Sequence, residues 1–116
     1  MQLINLTPHA ITVILDGTTV TLPISGIIAR CLVQREITGY LTHGEDSTLE
    51  IPLYETQFGE LIGLPEPTTG TFYIVSNITA AAAHRQGRDD VLVPDPIIRD
   101  AKGQPIGCTG FTRPAF

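Results

Sequence analysis

The side chains able to do chemistry are few and clustered: three histidines, two cysteines and short runs mixing arginine with aspartate. Ser76-Asn77-Ile78-Thr79 precedes four alanines, the pattern of a helix start, where unpaired first-turn amides carry partial positive charge. Such a start suits a phosphate or carboxylate, although Ser76 and Asn77 are also what any helix prefers as a cap. Arg88 with Asp89 and Asp90 reads either as a local ion pair or as a fork onto a ligand phosphate, oriented by an aspartate that also accepts a ribose hydroxyl. On the ligand reading Arg88→Ala abolishes binding and leaves stability alone, because a surface pair is worth roughly 0–1 kcal/mol. Arg99-Asp100 repeats the pattern in miniature, as a hairpin edge or a second anion contact.

The opening Asn5-Leu6-Thr7-Pro8-His9 poses the same choice. Asn5, Thr7 and Pro8 are turn formers, since amide and hydroxyl side chains bond nearby backbone and proline stiffens a bend. In an extended segment, however, Asn5, Thr7 and His9 share one face at period two and would line a polar pocket. Tyr73 or Phe72 would then offer a stacking face to a base. No nucleophile, base and orienter can be assembled from these residues, and adjacent Asp89 and Asp90 on a strand point to opposite faces. No catalytic residue is assigned. The histidines lack metal-ligand spacing, Cys31 and Cys108 form no zinc pattern, and no metal or cofactor is expected. A glycine-rich phosphate loop is absent.

The elements that must position these groups are strand-rich. Ile11–Leu15 and Thr18–Leu22 flank Asp16-Gly17, a hairpin signal. Residues 27–33 predict a third strand with near-continuous burial, Cys31 acting there as a small core hydrophobe. Tyr40 to Asp46 reads as a polar loop, and Thr48–Tyr54 as an edge strand marked by Pro52. A short strand from Phe58 leads to a proline-rich turn. Thr71–Val75 is apolar on both faces, as a central strand is. It runs into a helix over Asn77–Gln86, closed by Gly87, and a strand from Asp90 to Pro94 follows. Strand, helix and strand make a βαβ unit with parallel strands. A terminal hairpin turns around residues 101–104. The expected class is α+β, a strand-rich mixed sheet with one principal helix, in a single domain over 1–116.

Bulk properties bound the function. A chain of 116 residues with 42 % apolar content folds, and its 16 % charged content leaves much neutral surface, which favours self-association. Residues 36–84 contain seven carboxylates and no lysine or arginine, whereas the last third holds five basic residues against four acidic. That acidic middle disfavours a duplex nucleic-acid partner. No run is long enough to span a bilayer, the start lacks a signal-peptide pattern, and a cytoplasmic location is expected.

The stretches INLTPHAI, FGELIGLPEP, GTFYIVSNI and GRDDVLVPDPIIRDAKGQPIGCTGF together resemble a group of small uncharacterised proteins of bacterial and phage genomes. In size and character the chain is loosely similar to phage proteins that sequester nucleotide signals of bacterial immunity. With the residue reading above, this analogy leads to the expectation of a non-catalytic cytosolic sponge for an ADP-ribose-type or cyclic nucleotide, working as a homodimer or larger. The ligand contacts expected from the residues themselves are Asn5, Thr7, His9, Tyr73, Ser76, Asn77, Arg88, Asp89 and Arg99. The alternatives are a small hydrolase or phosphodiesterase using His9, and a protein-interaction module using the acidic middle.

Overall fold

The computed structural model describes residues 1–114, with the side chains of 46 and 47 outside the description. Strand β1 (Gln2–Asn5) pairs in parallel with β6 (Thr71–Ile74), and β6 pairs in parallel with β7 (Val91–Pro94). With β10 (Phe111–Thr112) antiparallel on β7, this gives a sheet of order β1-β6-β7-β10. Helix α1 (Asn77–Arg85) connects β6 to β7, so the expected βαβ unit with parallel strands is present. A second sheet, order β3-β2-β9-β8, contains the Asp16-Gly17 hairpin of β2 (Ile11–Leu15) and β3 (Thr18–Leu22) and the terminal hairpin of β8 (Ile97–Arg99) and β9 (Pro105–Cys108). The class is α+β and strand-rich, with one short helix.

Both helix ends are set by local chemistry. Ser76 Oγ accepts a hydrogen bond from the Thr79 amide, and its backbone is extended, as an N-cap requires. At the other end Gly87 takes φ +89°, its amide bonds His84 O, and the Arg88 amide reaches back to Ala83 O. Those two bonds form a Schellman closure, which glycine enters without strain. The helix ends at Arg85, with Gln86 as the C-cap rather than its last residue.

Residues 79–83 of α1 are buried in succession, which a helix shows when it is covered on more than one side. One side packs on the first sheet and the other beneath two further strands, β4 (Arg30–His43) and β5 (Asp46–Ile62). The four alanines allow both approaches. The main core gathers Leu6, Ala29, Tyr73, Val75, Ala80, Ala83, Val91 and Val93.

Strands β4 and β5 correct the sequence reading. The third strand starts at Arg30, not Ile27, and runs to His43, through most of the residues expected to form a polar loop. It pairs only with β5, as a two-stranded antiparallel ribbon. Its side chains are largely exposed, not continuously buried, and Cys31 is half-buried. A ribbon lacks the second layer that would bury its apolar positions, so they face solvent. The ribbon gives the molecule extents of 59 × 39 × 24 Å. Among the described residues no helix is long and apolar enough to cross a membrane.

Candidate functional site

The NLTPH segment is built as a turn. Strand β1 stops at Asn5, which is only 3 % exposed. Asn5 Nδ2 donates to His9 O at 2.8 Å and to Leu22 O at 3.3 Å. Asn5 Oδ1 accepts from the Thr7 amide at 2.9 Å and faces Thr7 Oγ1 at 2.6 Å. Thr7 Oγ1 also lies 2.9 Å from His9 O, so its single proton is shared between two acceptors. The polar atoms of Asn5 and Thr7 are thus taken up in closing the turn and tying it to β3. The shared period-two face does not form, because the residues after Asn5 leave the strand. His9 is exposed, and its ring is the polar group this turn leaves to solvent.

Two clefts lie where the parallel strands end. The first, about 280 Å³, is lined by Pro8, Ala29, Arg30, Cys31, Ser76 and Thr79 among others. Here the start of α1 faces the first residue of β4. Ser76 Oγ donates to Thr79 Oγ1 at 2.9 Å, and Thr79 Oγ1 lies 3.5 Å from Ala29 O, so the cap is linked to the backbone just before Arg30. Arg30 is exposed, and among the described residues its guanidinium has no acceptor. Asn77 is exposed in the first helical turn and does not line this cleft. The second cleft, about 340 Å³ and mostly apolar, is walled by His9, Pro94, Ile97, Pro105, Ile106 and Cys108. Burial pushes the Cys108 thiol above its ordinary value, although a backbone hydrogen bond at Gly110 opposes the shift.

The remaining expected residues sit elsewhere. Arg88 lies past the end of α1, and nine helical residues span about 13 Å, so one phosphate cannot touch both Ser76 and Arg88. The Arg88 guanidinium is already held. Its Nε donates to Asp90 Oδ1 at 2.9 Å, and its Nη2 donates to Asp90 Oδ2 at 2.8 Å and to Pro65 O at 2.8 Å. Asp89 is exposed and lines a separate cleft of about 300 Å³ with Thr68, Phe72 and Arg113, whose guanidinium lies 5.6 Å from the Phe72 ring centre. Tyr73 is buried in the core, its hydroxyl donating weakly to Glu66 O at 3.4 Å, so it presents no stacking face. Arg99 closes the β8–β9 hairpin by donating from Nη1 to Gly103 O at 3.0 Å.

The structure therefore brings Pro8, Ser76 and Thr79 together with Arg30, and it separates Arg88, Asp89, Tyr73 and Arg99 from them. Sequence reasoning passed over Arg30. Its signal is a lone cation inside an apolar run, but only the packing of β4 on α1 carries it to the helix start. Among the described residues no group of three His, Cys, Asp or Glu side chains converges as a metal site would need. No family model, curated protein or solved structure matches this chain.

Proposed function

We propose that this chain is a cytoplasmic binding protein that sequesters a small anionic, nucleotide-derived ligand at the start of α1. The observation that supports this reading is the pairing of a free guanidinium, Arg30, with a helix N-terminus at the carboxyl ends of two parallel strands. A phosphate seated between them meets first-turn amides on one side and a charged fork on the other. Pro8 and Thr79 wall the seat, and the neighbouring cleft edged by His9 takes the apolar remainder of the ligand. Binding is favoured over hydrolysis on chemical grounds. The thiol that shares a cleft with His9, Cys108, is buried with its pKa raised, which makes it a poor nucleophile.

Calorimetric titration with ADP-ribose and with a cyclic dinucleotide tests the reading, followed by heat release and chromatography of the bound fraction. Intact ligand recovered from a tight complex supports sequestration, and altered product supports the hydrolase reading. Arg30→Ala should weaken binding by about 10- to 150-fold, since hydrogen bonds to a charged group are worth about 1.5–3 kcal/mol. Arg88→Ala, corrected to equal folded fraction, should not. Equal affinity of wild type and Arg30→Ala would move the ligand away from α1.

A further inference from the structure

The β4–β5 ribbon exposes more surface than a chain of this size leaves in water. A compact monomer of 12.5 kDa presents about 6,200 Å². This chain presents 8029 Å². Its radius of gyration is 18.3 Å, where a compact domain of this length has about 13 Å. The excess area is roughly 1,800 Å², about twice what each partner contributes to a standard protein interface. An isolated two-stranded ribbon is at best marginally stable in water, so an arm of this length needs a surface to lie on.

The register says what chemistry that surface has. Near the base, one face carries Val33 opposite Phe58 and Ile37 opposite Tyr54, with Arg35 opposite Thr56 between them, and Arg85 of α1 lies 4.7 Å from the Phe58 ring centre. That face is turned towards the body of the protein at the base. The other face there is polar, with Gln34 opposite Gln57 and Glu36 opposite Glu55, and Gln57 donates to Glu36 at 3.2 Å. A bulge between Ile37 and Gly39 then inserts one extra residue in β4. Beyond it both faces are apolar. Tyr40 and Tyr54 continue the first face, while Leu41, Ile51 and Leu53 take over the second. Ile37 and these five residues are each 42–58 % exposed. Covering a tip that is apolar on both sides requires a partner that reaches around it.

We infer that the β4–β5 arm is a self-association element and that its occupant is a second copy of this chain, the two arms packing on each other by a two-fold axis. Three observations favour a second copy over an unrelated protein. An isologous contact sets the apolar tip against an identical apolar tip, so each face finds matching chemistry without another sequence. The excess area is present in every copy and is what a stable dimer uses. Of the arm's carboxylates, Glu36, Glu55 and Glu60 lie towards its base, so tip-to-tip packing keeps these like charges apart. The arm begins at Arg30, so the contact also braces the cleft at the start of α1, although the interface needs no ligand to form.

Light-scattering mass measurement across a wide range of chain concentration tests this directly. The wild type should run at twice 12.5 kDa or a higher even multiple, and a monomer or an odd multiple at every concentration overturns the inference. The pair Ile51→Glu with Leu53→Glu should shift the association constant by about 30-fold or more per substitution, the scale of a central interface residue. Gln57→Lys on the polar basal face should leave the mass unchanged. An Ile51→Glu/Leu53→Glu protein that is folded by circular dichroism and keeps the wild-type mass places the interface elsewhere and defeats the proposal. If that variant does not fold, hydrogen exchange on the wild type decides. Amides of residues 37–54 should gain protection as concentration rises, and protection independent of concentration overturns the inference. Failure here leaves Arg30-dependent ligand binding intact, so the two proposals fail separately.

Discussion

Replacing Arg88 with alanine removes a guanidinium that bonds both oxygens of Asp90 and the carbonyl of Pro65. The two side chains are 18 % and 12 % exposed, so this is not the surface ion pair that the sequence pattern suggests. Breaking a fully buried pair costs about 3–5 kcal/mol, because the surviving charge is stranded. With residual solvent contact on both groups, about 2–3 kcal/mol is the appropriate scale. Unfolding entropy for a chain of this length is about 0.24 kcal/mol per kelvin, so the melting temperature should fall by about 8–12 °C. The Asp90 hydrogen bond lifts the Arg88 pKa above its ordinary value, partly opposed by burial. Its stabilisation is therefore complete below that ordinary value and is lost only as pH rises through the higher folded value, outside any working range. Thermal and urea unfolding of Arg88→Ala, Asp90→Ala and the double variant measures the coupling, which should be about 1–2 kcal/mol. A melting temperature within about 2 °C of wild type, with ligand binding lost, would refute this reasoning and return Arg88 to the ligand.

Asn5→Ala deletes the centre of the turn network and strands the Thr7 amide, leaving the His9 carbonyl only the Thr7 hydroxyl. It should destabilise the fold by about 2–3 kcal/mol in urea unfolding, and a change below about 0.5 kcal/mol would mean the network is dispensable. The Cys108 thiol, raised by burial above its ordinary value of 9.0, stabilises the fold fully below that value. That stabilisation should be lost as pH climbs from 9.0 through the higher folded value, and Cys108→Ala should flatten this decline relative to wild type. Gly63 sits at the foot of the arm with φ +83°, and an added Cβ would lie 2.4 Å from Ile28 O. Gly63→Ala should therefore destabilise by more than about 2 kcal/mol and loosen the arm in hydrogen exchange, and an unchanged melting point would count against that packing.

Much was legible in the sequence because its cause is local. The caps of α1 are read from Ser76 and Gly87, since capping bonds reach no further than the neighbouring turn. The β2–β3 hairpin is read from Asp16-Gly17, where Gly17 takes the positive φ that a tight turn needs. The parallel relation of β6 and β7 follows from the single helix between them. The NLTPH turn was legible in its residue types, though not its use of Leu22 O, seventeen residues away from Asn5.

Tertiary structure alone decided the rest. Strand pairing is made by backbone groups common to every residue, so nothing in residues 2–5 specifies residues 71–74 as their partner. The β4–β5 ribbon was hidden for the same reason, and its bulges break the two-residue alternation that announces a strand. The site shows the effect most clearly. Arg88 stands close to the helix in sequence but is pinned to Asp90 at the helix's far end. Arg30 precedes Ser76 by forty-six positions and lines its cleft, because β4 packs on α1. Which cation meets a helix N-terminus is settled by packing between distant segments, and packing is a property of the folded chain as a whole.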